Sequence, residues 1–233
     1  RKNQTDRLRQ LNSLSTPGWG CNTLGNHDSP RMFNRFGDGS HEDEMARLHI
    51  ALLLTLPGTP FLYYGEEIGM SDLIIQDPSL LRDTMATWYY SRLVDDLKIP
   101  SKEAAVSAGR MSRDKNRTPM QWRNTDNAGF SPKNISPWLP VNHNYQSGIN
   151  VADQELQPGS LLNFYRNLLN VRKKLPELQI GDYLLINERD SDIFSFLRFT
   201  STKCVLVFLN FSQSKKEISL SIENCILGDV IVS

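Results

Sequence analysis

An α/β architecture with a short parallel sheet, followed by a small antiparallel β-domain, is the fold class predicted by three features of this 233-residue chain. An apolar stretch over Cys21–Leu24, a helical pattern from Glu42 and an aromatic run over Thr59–Tyr64 succeed one another as strand, helix, strand. A helix-length crossover between two strands makes a βαβ unit, which requires the strands to be parallel. After about residue 178 the texture changes to short apolar runs separated by polar turns, the pattern of antiparallel strands. Composition agrees with a globular protein, with 39% of residues hydrophobic and 22% charged.

Residues 1–15 are polar and helix-compatible, and the run Ser15-Thr16-Pro17-Gly18-Trp19-Gly20 ends them. Cys21–Leu24 then reads as a short buried strand. Glu42, Asp43 and Glu44 supply the negative charge that suits a helix N-terminus. Met45, Leu48, Leu52 and Leu56 recur at steps of three and four, and Pro57-Gly58 stops the helix. Thr59–Tyr64, aromatic and bounded by Pro and Gly, predicts a strand. Residues 72–110 read as a partly helical insertion, the kind of segment that walls or covers a functional cleft. From Thr118 to Tyr145, Pro, Asn, Gly and Trp recur without period, which predicts a long structured loop. Ser160 is placed to cap an amphipathic helix with Leu161, Tyr165, Leu168 and Leu175 on one face. Arg172-Lys173-Lys174 close that helix and Pro176 ends it. Strands are predicted over Asp182–Asn187, Ile193–Thr200, Cys204–Phe211 and Glu217–Ile222.

Charge and cysteine content exclude several classes. Basic and acidic residues balance at 26 each and form no basic stripe, so nucleic acid is not an expected partner. The longest apolar run, Ile50–Leu54, is far too short to span a bilayer. Cys21, Cys204 and Cys225 are dispersed and odd in number, against a disulfide framework or zinc site and in favour of buried thiols. No leader segment is seen and a cytoplasmic location is expected; sequons at Asn3, Asn116, Asn134 and Asn210 would matter only in a secreted eukaryotic protein. Arg1 at one end and Val230-Ile231-Val232-Ser233 at the other read as cuts through a longer chain. Oligomeric state is not legible here.

Three segments carry chemistry. Gly25-Asn26-His27-Asp28-Ser29-Pro30-Arg31 sets a His beside an Asp in a turn-prone loop just after a strand. There the carboxylate could oppose a developing cation while the imidazole donates to a substrate hydroxyl. Such pairs also cap helices and tie down loops, and alone this one would stay undecided. Tyr63-Tyr64-Gly65-Glu66-Glu67-Ile68-Gly69-Met70 follows one helix and one strand later, then Arg113-Asp114-Lys115-Asn116-Arg117-Thr118-Pro119-Met120-Gln121-Trp122.

Together these segments resemble the α-amylase superfamily of glycoside hydrolases (family 13), in its α-glucosidase and oligo-1,6-glucosidase branch. The resemblance runs from about Cys21 through Tyr145 and more loosely to the end. It implies the C-terminal part of a (β/α)8 TIM barrel over residues 1–177, followed by a truncated small antiparallel β-sandwich over 178–233. The Asn26-His27-Asp28 loop would then follow the seventh strand and Gly65-Glu66-Glu67 the eighth, both on the active-site face. The implied activity of the intact parent is retaining hydrolysis of terminal α-glucosidic bonds in short α-glucosides of maltose, isomaltose or sucrose type, so the expected partner is a small oligosaccharide or disaccharide. That reaction needs a nucleophilic carboxylate and an acid about 5–5.5 Å apart. Relatives carry both upstream of the Asn-His-Asp segment, so this chain is expected to lack them and to be inactive alone.

By the same resemblance Asp28 is the transition-state stabiliser, and His27 binds the hydroxyls of the glucose in subsite −1. Arg113 grips the non-reducing-end glucose, together with an Asp from the N-terminal half. Its competing reading is a structural salt bridge with Asp114 or another acid. Arg31 and Arg117 are read as braces orienting carboxylates of the site. Glu66 and Glu67, adjacent in what reads as extended chain, would point to opposite faces and serve structure. Trp122, Phe130 and Trp138 are read as packing the long loop onto the barrel. No cofactor is implied and no metal ligand falls in this chain, although some family members hold calcium through the N-terminal half. Where relatives commonly place a Glu after an Arg-Asp pair, Arg82-Asp83 is followed here by Thr84-Met85-Ala86, which leaves linkage preference open. The alternatives are a transglycosylating sucrose isomerase or trehalose synthase, a non-catalytic homologue like the heavy chains of amino-acid transporters, and a stand-alone carbohydrate-binding module.

Overall fold

The computed structural model describes residues 18–186 and 190–218, with Asp6 and Gln10. In chain order the elements are β1 (Cys21–Thr23), α1 (Met32–Phe36), α2 (Glu42–Thr55), β2 (Thr59–Phe61), α3 (Thr84–Asp95), α4 (Ser101–Met111), α5 (Val151–Glu155), α6 (Leu161–Lys174), α7 (Pro176–Ile180), β3 (Asp182–Ile186), β4 (Ile193–Phe199) and β5 (Cys204–Asn210). The helix expected over 1–15 apart from Asp6 and Gln10, most of the strand expected over Glu217–Ile222, and Cys225 lie outside the described residues.

β1 and β2 pair in parallel, Cys21 opposite Thr59 and Thr23 opposite Phe61, with α1 and α2 in the crossover. Both strands are shorter and more open than the sequence predicts. In β1 only Asn22 is buried, where its amide donates to Pro57 O at 2.8 Å. Each strand has one neighbour among the described residues, and the pleat turns alternate side chains of each outward. β2 stops at Phe61 because the chain turns three residues later. Glu66 N donates to Tyr63 O, and Gly65 takes φ 87. A side chain at Gly65 would also collide with Met70 Sδ and the Arg31 guanidinium, so crowding and backbone both select glycine. Cys21 and Cys204 are exposed, which corrects the expectation of buried thiols. The alternation of β1 turns Cys21 outward, and Cys204 opens β5 at the sheet margin.

The second half of α2 is apolar all round because two cores meet on it. Ala46, Ile50, Leu53 and Leu54 pack with Leu24, Met32, Leu161 and Tyr165. Ala51, Leu52 and Leu56 pack instead with Leu178, Phe194, Phe196, Val207 and Leu209. α6 starts where predicted, with Ser160 Oγ accepting from Asn163 N at 3.2 Å. The predicted run of antiparallel strands is present as the sheet β3–β4–β5. Among the described residues it is a single sheet, and its apolar face lies on helices α2 and α7. Residues 72–111 fold mainly as a hairpin of α3 against α4, around Ile75, Leu81, Ala86 and Ala108. No helix among the described residues is long and apolar enough to cross a membrane.

The last turn of α2 contains no basic residue of its own. Its orphan carbonyls are met from outside: Arg172 of α6 donates to Leu54 O, and Arg198 of β4 to Thr55 O, while Arg172 also donates to Gly58 O in the turn beyond. Two cations at a helix C-terminus also complement its dipole. Arg198 is fully buried, and donates further to Leu178 O at 3.1 Å, Gly181 O at 2.9 Å and Asp182 O at 3.4 Å. Burial pushes its pKa down to about 10. Replacing it by methionine keeps bulk but orphans these carbonyls, and should lower unfolding stability by about 3 kcal/mol or more in denaturant titration.

Candidate active site

Residues 26–29 form a tight turn that carries His27 and Asp28 at its tip. Ser29 N donates to Asn26 O at 3.4 Å, and the Asn26 side chain accepts from Asp28 N at 2.8 Å. A turn-favouring Asn followed by Ser-Pro gives this geometry locally. Everything else that holds the turn comes from residues 113–117. Arg117 Nη2 donates to Asp28 Oδ1 at 2.8 Å and its Nε to His27 O at 2.8 Å. Arg113 Nη1 reaches the same Asp28 oxygen at 3.4 Å. His27 Nε2 lies 3.2 Å from the other one. Asn116 Nδ2 donates to Asn26 O and Ser29 O, at 2.8 and 2.6 Å. His27 and Asp28 remain about half exposed or more, facing out where a hydroxylated ligand could meet them.

Arg113 is held from behind by Asp83, a bidentate pair at 2.8 and 3.1 Å on a buried carboxylate. Asp83 also accepts from Arg113 N and, as N-cap of α3, from Met85 N. The guanidinium holds the Asp83 carboxyl well below the usual carboxylate range, and Asp83 in turn raises Arg113. Asp114, the acid nearest in sequence, turns away and accepts instead from the backbone N–H groups of Arg82 and Asp83. The two Arg-Asp dipeptides at 82–83 and 113–114 thus clasp one another at the neck of the α3–α4 hairpin. Sequence reading passed over Asp83 and Asn116. The repeated Arg-Asp at both ends of the insertion was the available signal for the first.

Arg31 stands apart from this cluster. It is almost wholly buried, donates to Tyr64 O at 2.8 Å and lies over the rings of Tyr63 and Tyr64 at 5.2 and 5.0 Å. It supports the loop after β2 and makes no bond to Asp28, so of the two expected braces only Arg117 reaches a carboxylate of the cluster. Glu66 and Glu67 lie in a 3₁₀ turn, not in extended chain, which removes the argument that they point apart. Each is nonetheless tied to backbone, Glu66 to Tyr63 N and Glu67 to Gly65 N. Trp138 donates its indole N–H to Arg117 O at 2.9 Å and meets Phe130 edge-on at 5.2 Å. Trp122 is half-exposed. No group of three or more His, Cys, Asp or Glu among the described residues is arranged to hold a metal.

A parallel βαβ unit thus carries a His-Asp turn that meets paired arginines, and comparison with known proteins gives its family. The family model described as the alpha amylase catalytic domain matches residues 2–181. This chain belongs to that family, the α-amylase superfamily of glycoside hydrolases, whose fold is the TIM barrel. It is 36% identical over 201 residues to the oligo-1,6-glucosidase of Parageobacillus thermoglucosidasius, covering 86% of this chain and 35% of that protein. Among solved structures it resembles trehalose-6-phosphate hydrolase of Bacillus licheniformis, at a TM-score of 0.77 and 34% identity, covering 90% of this chain and 37% of that one. It also resembles an isomaltulose synthase of Erwinia rhapontici, at 0.75 and 31%, covering 91% and 38%. The chain spans 35–37% of the length of the curated relatives it matches.

Burial pushes the Glu66 pKa up to about 7 from 4.5, so the native state keeps a proton that the unfolded chain releases. Its contribution is intact below about pH 4.5 and is lost as pH rises through about 7. Glu66→Gln should therefore gain on the wild type by roughly 2–3 kcal/mol at pH 8 and lose that advantage by pH 4.5, read by thermal unfolding against pH.

Proposed function

We propose that this segment supplies the charge-stabilising side of a retaining α-glucosidase site, in an enzyme that removes glucose from the ends of short α-glucosides. The observation that carries the reading is the convergence on one turn of His27, Asp28, Arg113 and Arg117, from stretches 85–90 residues apart. Breaking a glycosidic bond creates an oxocarbenium-like centre beside the ring oxygen. A carboxylate fixed by two guanidinium groups is preorganised to interact with that charge, so little reorganisation is needed as the transition state forms. His27 would donate to a sugar hydroxyl and Arg113 would set the terminal glucose against Asp28. In this proposal the nucleophile and general acid come from parts of the enzyme other than these residues, and the polypeptide by itself is inactive. Residues 1–177 belong to the barrel and 178–233 to the C-terminal β-domain, which the family resemblance reads as part of a β-sandwich. The proposal needs no cofactor, and any calcium would be bound outside this segment. It places the protein in the cytoplasm.

Hydrolysis is preferred over sucrose isomerisation because oligo-1,6-glucosidases recur among the sequence relatives, at 34–36% identity. The test uses the full-length enzyme carrying this segment, with p-nitrophenyl-α-glucoside, maltose, isomaltose and sucrose. Glucose release is expected, and Asp28→Asn should lower kcat by about 10²–10³-fold with the fold intact. Isomerised disaccharide as the main product would favour the synthase reading, and no turnover by a folded enzyme would end the hydrolase one.

A further inference from the structure

We propose that Asn116 is the positioning residue of this site: its buried amide, more than the partly exposed arginines, sets the turn on which His27 and Asp28 stand. The inference rests on the reading of Asp28 as the charge-stabilising carboxylate. Asn116 has no solvent exposure, and its amide sits in the mouth of the 26–29 turn. One N–H goes to the carbonyl that opens the turn and the other to the carbonyl that closes it. Both donors are used and the side-chain oxygen is left without a partner. A flipped amide would press that oxygen against two carbonyls, so only the donating orientation fits.

What makes this amide a reference point is how its own backbone is held. The carbonyls of Asn116, Arg117 and Thr118 each accept from one aromatic side chain: Tyr63 Oη at 3.2 Å, Trp138 Nε1 at 2.9 Å and Tyr64 Oη at 2.7 Å. Two of these donors follow β2 and the third comes from the long loop. Arg31 stacks against both tyrosine rings. Three consecutive peptide groups are thereby pinned from two directions, and the pinned segment presents Asn116 to the turn. Arg113 and Arg117 meet the Asp28 carboxylate in solvent, where such pairs contribute little to holding a backbone in place, and only one of their bonds, Arg117 Nε to His27 O, reaches the backbone of the turn. Hydrogen bonds from a fully buried amide are stronger in their low-dielectric surroundings and costly to leave unmade.

Two variants test this in the full-length enzyme, by site-resolved amide hydrogen exchange and by kinetics. Asn116→Ala should speed exchange of the Asp28 and Ser29 amides by about 10-fold or more, leave α2 and α6 protected, and lower kcat about 10–100-fold at nearly constant KM. Tyr63→Phe keeps the amide but releases its carbonyl, and should speed the same two amides by a smaller factor. Unchanged exchange and kcat in Asn116→Ala would overturn the proposal. So would general loss of protection in that variant with no local effect from Tyr63→Phe. An inactive wild type whose two amides still respond would sink the glucosidase reading and leave the clamp standing.

Discussion

A turn of four residues cannot hold itself, and the structure around Asp28 follows from that constraint. Two internal hydrogen bonds, one of them long at 3.4 Å, are all the 26–29 turn makes on its own. The remaining bonds come from residues 113–117, brought close by a helical hairpin whose neck is locked by Asp83 on Arg113 and by Asp114 on two backbone amides. The hairpin therefore matters to the site less as a cover than as the device that returns the chain to it.

Beneath the site, α2 joins two bodies of packing. One of its faces belongs to the core under the parallel strands, and another to the core shared with the antiparallel sheet. Arg172 and Arg198 close its C-terminus from α6 and from β4. A displacement of the antiparallel sheet would thus be felt at the end of α2, which leads directly into β2 and the Tyr63-Tyr64 pair. Through these tyrosines the packing reaches the carbonyls of Asn116 and Thr118.

Much of this was legible in the residues. The periodicity of Met45, Leu48, Leu52 and Leu56 marks α2, and Ser160 marks the start of α6, because local spacing and capping encode both. His27, Asp28, Arg113 and Arg117 were recognisable as a set, and the structure does bring them together. What escaped were features decided by tertiary contact. Arg31 reads as a brace for the site, yet the rings of Tyr63 and Tyr64 claim it instead. Glu66-Glu67 looks like extended chain until Gly65 turns it. Asp83 and Asn116 are ordinary polar residues in sequence, and gain their roles only when a hairpin neck and a turn mouth close around them. The antiparallel strands were legible from their short alternating runs, whereas the sandwich came from the family resemblance, and the described residues show the single sheet β3–β4–β5.

The central claim is that Asp28 is held to meet positive charge at the sugar. The most direct measurement is calorimetric binding of a cationic glucose-shaped iminosugar, with neutral glucose as control, to the full-length enzyme and to Asp28→Asn. Affinity for the cation should fall by about 10²-fold while glucose loses no more than about threefold, since only the first gains from the fixed carboxylate. Equal losses for both ligands, or none for either, would contradict the account.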